Sequence, residues 1–185
     1  MDWIVLVLRL PTEPSRHRVA AWRELRRGGA VQLGPGSWAV PAQPVFAETV
    51  DRVQELVRRG DGELFVLDAT ARDEASSARL QAAYTEAREA EWTEFLSDCL
   101  KFMTELDHEI AIEKYTLAEL DEEEQSMERL RRWHRELGVR DVFGAPSAAA
   151  AQGRLTECAS RLEDYTERVF QALNTEPSPS PKPAG

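Results

Sequence analysis

Val31-Gln32-Leu33-Gly34-Pro35-Gly36-Ser37-Trp38-Ala39-Val40 sets two short runs of β-forming residues on either side of a Gly-Pro-Gly break. The pattern predicts a hairpin with Val31–Leu33 and Ser37–Val40 as its strands. What flanks it decides the fold. Upstream, Ser15 precedes a helical stretch that runs to Arg27 and closes on Gly28-Gly29. Before that, Trp3-Ile4-Val5-Leu6-Val7-Leu8 is an apolar run that stops at Pro11, as a strand buried on both faces would. Downstream, Pro44 opens a second helix, with Phe46, Val50, Val53 and Val57 at helical spacing, and it ends at Gly60. Glu63–Leu67 supplies a fourth strand. The order β-α-β-β-α-β predicts an α+β fold whose residues 1–70 form the split arrangement called ferredoxin-like.

After about Asp73 the composition changes to Glu, Arg, Ala and Leu, and Pro and Gly nearly vanish until Gly138. Leu80, Tyr84, Ala87, Phe95, Cys99, Phe102, Leu106 and Ile110 mark one long amphipathic helix. A second runs from about Leu117 to Leu137, with Leu120, Met127, Leu130 and Leu137 on one side. Phe143-Gly144-Ala145-Pro146 makes a turn, and a third helix from Ser147 to Leu173 carries Leu155, Cys158, Leu162, Tyr165, Val169 and Leu173. None of these stripes is stable alone, so an acidic three-helix antiparallel bundle is expected over 71–173. Residues 174–185, rich in Pro and Ser, are expected to be a disordered tail.

Hydrophobic residues make up 42% of the 185, enough to bury a core. The longest apolar run is too short to span a bilayer and lacks the flanks of a signal peptide, so a soluble cytoplasmic protein is expected. Cys99 and Cys158 lie among apolar neighbours without metal spacing and read as free buried thiols. The net charge of −10 is uneven. Residues 1–60 hold nine Arg against six Asp and Glu, so a head with three surplus positive charges precedes an acidic body. Such a head can dock on a polyanion that the body would repel.

The first helix is the most pointed feature. Arg16, Arg23 and Arg27 fall within about 40° of one another at 100° per residue. Val19, Trp22 and Leu25 occupy the adjoining face, expected to pack on the sheet, and Arg18, His17 and Arg26 add donors. Three guanidiniums along one edge suit phosphates or another oxyanion. The alternative is a solvated face, with Arg23 and Arg27 paired to carboxylates of the bundle. Glu91 and Glu124 sit where their stripes call for a hydrophobe, so Arg88, Arg131 or an Arg from the head is expected to join them in a buried ion network, unless the stripe drifts to the surface there.

Other constellations carry less. Gly34-Pro35-Gly36-Ser37 lacks the phosphate-loop pattern and joins two strands, which makes it a turn. Glu105 and His108 form a single Glu-x-x-His, whereas di-iron bundles use two, and no metal or cofactor is expected. Asp121-Glu122-Glu123-Glu124 suits a helix start. None of His17, His108 and His134 stands beside a nucleophile in a known motif, so no enzyme activity is expected.

Leu10-Pro11-Thr12, Arg18, Trp22-Arg23, Leu25, Gly29-Ala30, Gly36-x-Trp38 and Pro41 together resemble the N-terminal domain of ChrB, the chromate-resistance regulator family. Leu130-Arg131-Arg132-Trp133 and Phe143-Gly144-Ala145-Pro146 are similar to that family's helical region. The resemblance implies a cytoplasmic bacterial transcriptional regulator with DNA as partner and chromate as signal. Full-length members look longer, with a further C-terminal domain; if sensing needs that part, this stretch binds without responding to chromate or acts with a separate partner. Ala20 stands where one more basic residue is expected. The head also resembles the Cas2 nucleases and the PaaX-type repressors. Leu8-Arg9-Leu10 occupies the point where the nucleases place a metal-binding Asp, and Arg cannot hold a divalent metal.

Three readings follow for test. In the first, a ChrB-like regulator contacts DNA phosphates through its basic helix, and fold analogy with other ferredoxin-like heads leads to an expected homodimer. The second is a chromate- or other oxyanion-binding or scaffold protein without DNA affinity. The third is a chromate-reducing enzyme resting on Cys99, Cys158, Glu105 and His108.

Overall fold

A computed structural model describes residues 2–174. The elements are β1 (Asp2–Arg9), α1 (Ser15–Arg27), β2 (Val31–Gly34), β3 (Ser37–Pro41), a short 3-10 turn (Pro44–Phe46), α2 (Ala47–Arg59), β4 (Glu63–Thr70), α3 (Glu74–Ala111), α4 (Leu117–Arg140) and α5 (Ala148–Asn174). The expected tail at 174–185 lies, apart from Asn174, outside the described residues. By packing the chain divides into two units, Met1–Glu91 with Leu137–Ala145, and Trp92–Glu136 with Pro146–Gly185. The change of composition near residue 70 is therefore not where the packing divides; that point falls within α3.

The first unit is built on a four-stranded antiparallel sheet in the order β2-β3-β1-β4, as the βαββαβ order requires. Trp3 and Leu6 of β1, an odd number of residues apart, point to opposite faces, and both are fully buried. Ala21 and Leu25 of α1 and Val53 and Val57 of α2 join Leu6 in the core. Trp3 is met by the rings of Tyr84, 5.8 Å away, and Phe143, 6.0 Å away. Tyr84 thus serves the sheet although its sequence spacing placed it on the bundle's stripe. Coverage on the Trp3 side is partial. Val5 and Val7 stay half-buried beside Leu67 and Phe65 of the edge strand β4, which are exposed.

Helices α1 and α2 are each followed by a left-handed residue that lets their last carbonyls be satisfied. Gly29, with φ +81°, lets the Ala30 amide donate to the Leu25 carbonyl at 2.9 Å. At the end of α2 the left-handed position falls to Asp61, with φ +51°, and the Gly62 amide donates to Val57 at 3.0 Å.

The second unit draws on the later part of α3, most of α4, and α5. Phe95, Cys99, Phe102 and Leu106 of α3 are buried, as are Leu120, Met127 and Leu130 of α4 and Cys158, Leu162, Tyr165 and Val169 of α5. Leu173, expected on the last stripe, is exposed where the helix runs out. Trp92, Phe95 and His134 form an edge-on aromatic group. No helix among the described residues is long and apolar enough to cross a membrane.

Candidate nucleic-acid interface

Helix α1 carries all five arginines singled out by the sequence. Arg16, Arg18, Arg23, Arg26 and Arg27 are exposed. Arg27 pairs with Glu24 of its own helix at 3.4 Å, and Glu24 also meets Arg52 of α2 at 3.6 Å. Arg16 donates to His17 Nε2 at 3.2 Å, and the Arg26 guanidinium lies over the Trp22 ring, 5.7 Å from its centre. Among the described residues Arg16, Arg18, Arg23 and Arg26 make no ion pair.

One expectation about this helix is corrected. Val19 and Trp22 do not pack on the sheet: they are 41% and 49% exposed, while Ala21 and Leu25 take the inner face. The inner side lies against a sheet filled by Leu6, Trp38 and Val40, so a small residue at 21 lets α1 approach closely and turns Trp22 outward. The exposed face therefore mixes guanidiniums with a large aromatic ring.

What fixes α1 is a buried charge cluster at its C-terminal end. Arg88, only 3% exposed, forms a two-pronged pair with Glu91 at 2.8 and 3.1 Å and donates to the Gly29 carbonyl at 2.6 Å. Arg140 donates to Glu91 at 3.2 Å and to the Arg27 carbonyl at 2.9 Å. The Tyr84 hydroxyl donates to the Arg140 carbonyl at 2.7 Å, and Arg88 lies over the Tyr84 ring. Two cations thus meet carbonyls at the negative end of the α1 dipole. A tight Gly29 is part of the arrangement: a Cβ there would come within 2.9 Å of Arg88 Nη1.

The structure places the residues expected in a network of Arg88, Glu91, Glu124 and Arg131 in two separate regions. Arg88 and Glu91 come together, but their third partner is Arg140. Glu124 and Arg131 are exposed, and Arg131 approaches Glu128 at 4.0 Å. Among the described residues of the second unit Glu109 and Glu123 are the buried carboxylates, Glu123 lying one position before the expected Glu124. Glu123 is raised to about 7 by burial and by the neighbouring Glu105, Glu109, Glu119 and Glu122. Lys114 reaches Glu119 at 2.8 Å and Glu109 at 3.6 Å. Arg140 and Glu123 were missed because the period of an α-helix drifts against a seven-residue count, so the inward position slides along a long helix.

Other titratable groups fall away from this face. Glu105 and His108 are exposed, and among the described residues no group of three or more His, Cys, Asp or Glu could hold a metal ion. His134 sits against Trp92 and Phe95, and burial lowers its pKa. The Cys158 thiol donates to the Cys99 carbonyl at 3.6 Å, and the neighbouring Cys158 together with burial pushes the Cys99 thiol up.

An antiparallel βαββαβ head whose first helix exposes its arginines, followed by long helices, defines an α+β protein with a helical C-terminal region. The chain belongs to the family described as Protein ChrB, N-terminal, which it matches over residues 18–176. It is 28% identical over 106 residues to Protein ChrB of Cupriavidus metallidurans (strain ATCC 43123 / DSM 2839 / NBRC 102507 / CH34). That match takes in 57% of this chain and 33% of the relative, so the chain spans about a third of the curated protein it resembles.

Proposed function

We propose that this chain is the DNA-facing part of a ChrB-type transcriptional regulator associated with chromate resistance, working in the cytoplasm as a homodimer. Arg16, Arg18, Arg23, Arg26 and Arg27 contact phosphates along the backbone. The observation that carries this reading is the exposed guanidinium face of α1, in which Arg27 alone has an ion-pair partner among the described residues, and that partner is on its own helix. A surface helix of purely structural use would offset these charges with acidic neighbours; α1 contains the single acid Glu24. A planar guanidinium fork matches phosphate oxygens in pairs, so less side-chain entropy is lost per hydrogen bond formed.

Phosphate contacts set register and affinity and leave base choice to other groups. The test is a salt titration of binding to the chain's own promoter DNA. Three to five phosphate contacts give a log–log slope of roughly −3 to −5. Arg23→Gln is expected to weaken binding evenly across DNA sequences and to shrink the slope by about one unit. Absence of binding at low salt overturns the proposal.

A further inference from the structure

An open cleft of about 890 Å³ lies where α1, the end of β1, the β2–β3 turn and the α2–β4 turn converge, all within the first unit. Its lining is mostly apolar and includes Leu8, Leu10, Leu25 and Trp38, with Val19 and Trp22 contributed by α1. These last two are the side chains that the helix leaves exposed although its contact with the sheet is complete without them. An exposed Trp and Val on one wall of a concave, apolar site have a use that an isolated surface hydrophobe lacks.

The walls are fixed by short backbone approaches. The Leu8 amide donates to the Gly36 carbonyl at 2.7 Å, which ties the hairpin turn to β1. A Cβ on Gly36 would stand 2.7 Å from the Leu8 oxygen, and one on Gly62 would stand 2.6 Å from the Arg9 oxygen. The cleft therefore exists before any ligand arrives.

Its charges define the ligand. Arg9 is already offset by Glu63 at 3.7 Å and stacks over Phe65. Arg18 lines the cleft and makes no ion pair among the described residues, so one guanidinium is left to receive an anion. Asp61 and Glu63 also line it and set a negative potential against any second negative charge. A small inorganic dianion would lose its hydration against Leu and Trp side chains with one free cation to offset it. An aromatic ring gains from the same surface, because it stacks on indole and buries apolar area.

We infer that this cleft binds a small planar aromatic molecule bearing one carboxylate, its ring against Trp22 and its carboxylate on Arg18. The site shares Arg18 with the proposed phosphate contacts but lies apart from Arg16, Arg23 and Arg27, and its occupation does not require DNA.

The test is isothermal titration calorimetry of the full chain, without DNA, using four probes: sodium 2-naphthoate, neutral 2-naphthalenemethanol, sodium naphthalene-2,3-dicarboxylate and sodium sulfate. Saturable binding of 2-naphthoate is expected, with the alcohol and the dicarboxylate each about tenfold weaker and sulfate silent, since a charge-assisted hydrogen bond distinguishes the probes. Arg18→Gln is expected to weaken 2-naphthoate about tenfold and to leave the alcohol unchanged. Trp22→Ala is expected to weaken both. Both side chains are exposed, so circular dichroism should show the parent fold in each variant. No saturable heat with 2-naphthoate overturns the inference. So does sulfate binding as tightly as 2-naphthoate, or 2-naphthoate binding that neither variant changes. Loss of DNA binding in an α1 variant that keeps its naphthoate heat bears on the proposed function and not on this site.

Discussion

Arg88 brings a full charge into the interior and is held there by a matched set of partners. Glu91 takes two of its N–H groups and the Gly29 carbonyl takes a third. Removing Arg88 leaves Glu91 to Arg140 alone and takes the donor from the Gly29 carbonyl, which is far costlier than never burying the cluster. Arg88→Ala is expected to lower stability by about 3–5 kcal/mol in urea unfolding. Arg88→Lys should recover little of this, because an ammonium cannot span both Glu91 oxygens and Gly29 in one plane. Glu123 illustrates the opposite sign. Burial and four neighbouring carboxylates raise its pKa to about 7 from 4.5. The folded chain therefore holds a proton that the unfolded chain has lost, and stability falls as pH climbs from 4.5 towards 7. Glu123→Gln removes that loss. The variant's melting temperature should exceed the parent's by a margin that widens from about pH 5 to about pH 7 and then levels off.

At the scale of the element, α1 is a helix with three duties on three faces. Ala21 and Leu25 meet the sheet, Arg18, Val19 and Trp22 line the cleft, and Arg16, Arg23 and Arg27 look outward. Its C-terminus is where these are kept in register, since Arg88 and Arg140 hold the Gly29 and Arg27 carbonyls. Gly29→Ala would put a side chain on a residue at φ +81° and push on Arg88. The expected cost is about 1–3 kcal/mol, with a matching loss of protection in amide exchange at the end of α1. The β4 strand offers a contrast. Phe65, Val66 and Leu67 are exposed along an edge that pairs on one side with β1. That run was expected as a strand from its residues, and its exposure could not be, because alternation in a strand says which residues share a face and not whether the face is covered.

At the scale of the whole molecule, the first unit is not continuous in sequence. Leu137–Ala145 returns to it and brings Arg140 to Glu91 and Phe143 to Trp3. A fragment of residues 1–91 should therefore lack a third of its charge cluster and one wall of its aromatic group. It is expected to show strand and helix signals in the far-ultraviolet but a broad, poorly cooperative thermal transition, while the full chain melts sharply. A fragment that melts as sharply as the full chain would contradict this account of the Arg140 and Phe143 contacts.

The hairpin, the two short helices and the first and last strands could be read from local features: alternation, breakers and helical spacing act over a few residues, and the βαββαβ order then leaves few sheet topologies open. That five arginines gather on one short helix could also be read, but not whether they stay free or pair with carboxylates. Which way Trp22 faces, which partner completes Arg88–Glu91, and that Glu123 rather than Glu124 is buried depended on tertiary packing. A rotation of one helical position changes each outcome, and that rotation is set by what the neighbouring elements leave open. The cleft belongs to the same kind: its walls come from four segments far apart in the chain, and only folding brings Arg18, Trp22, Trp38 and Asp61 around one space.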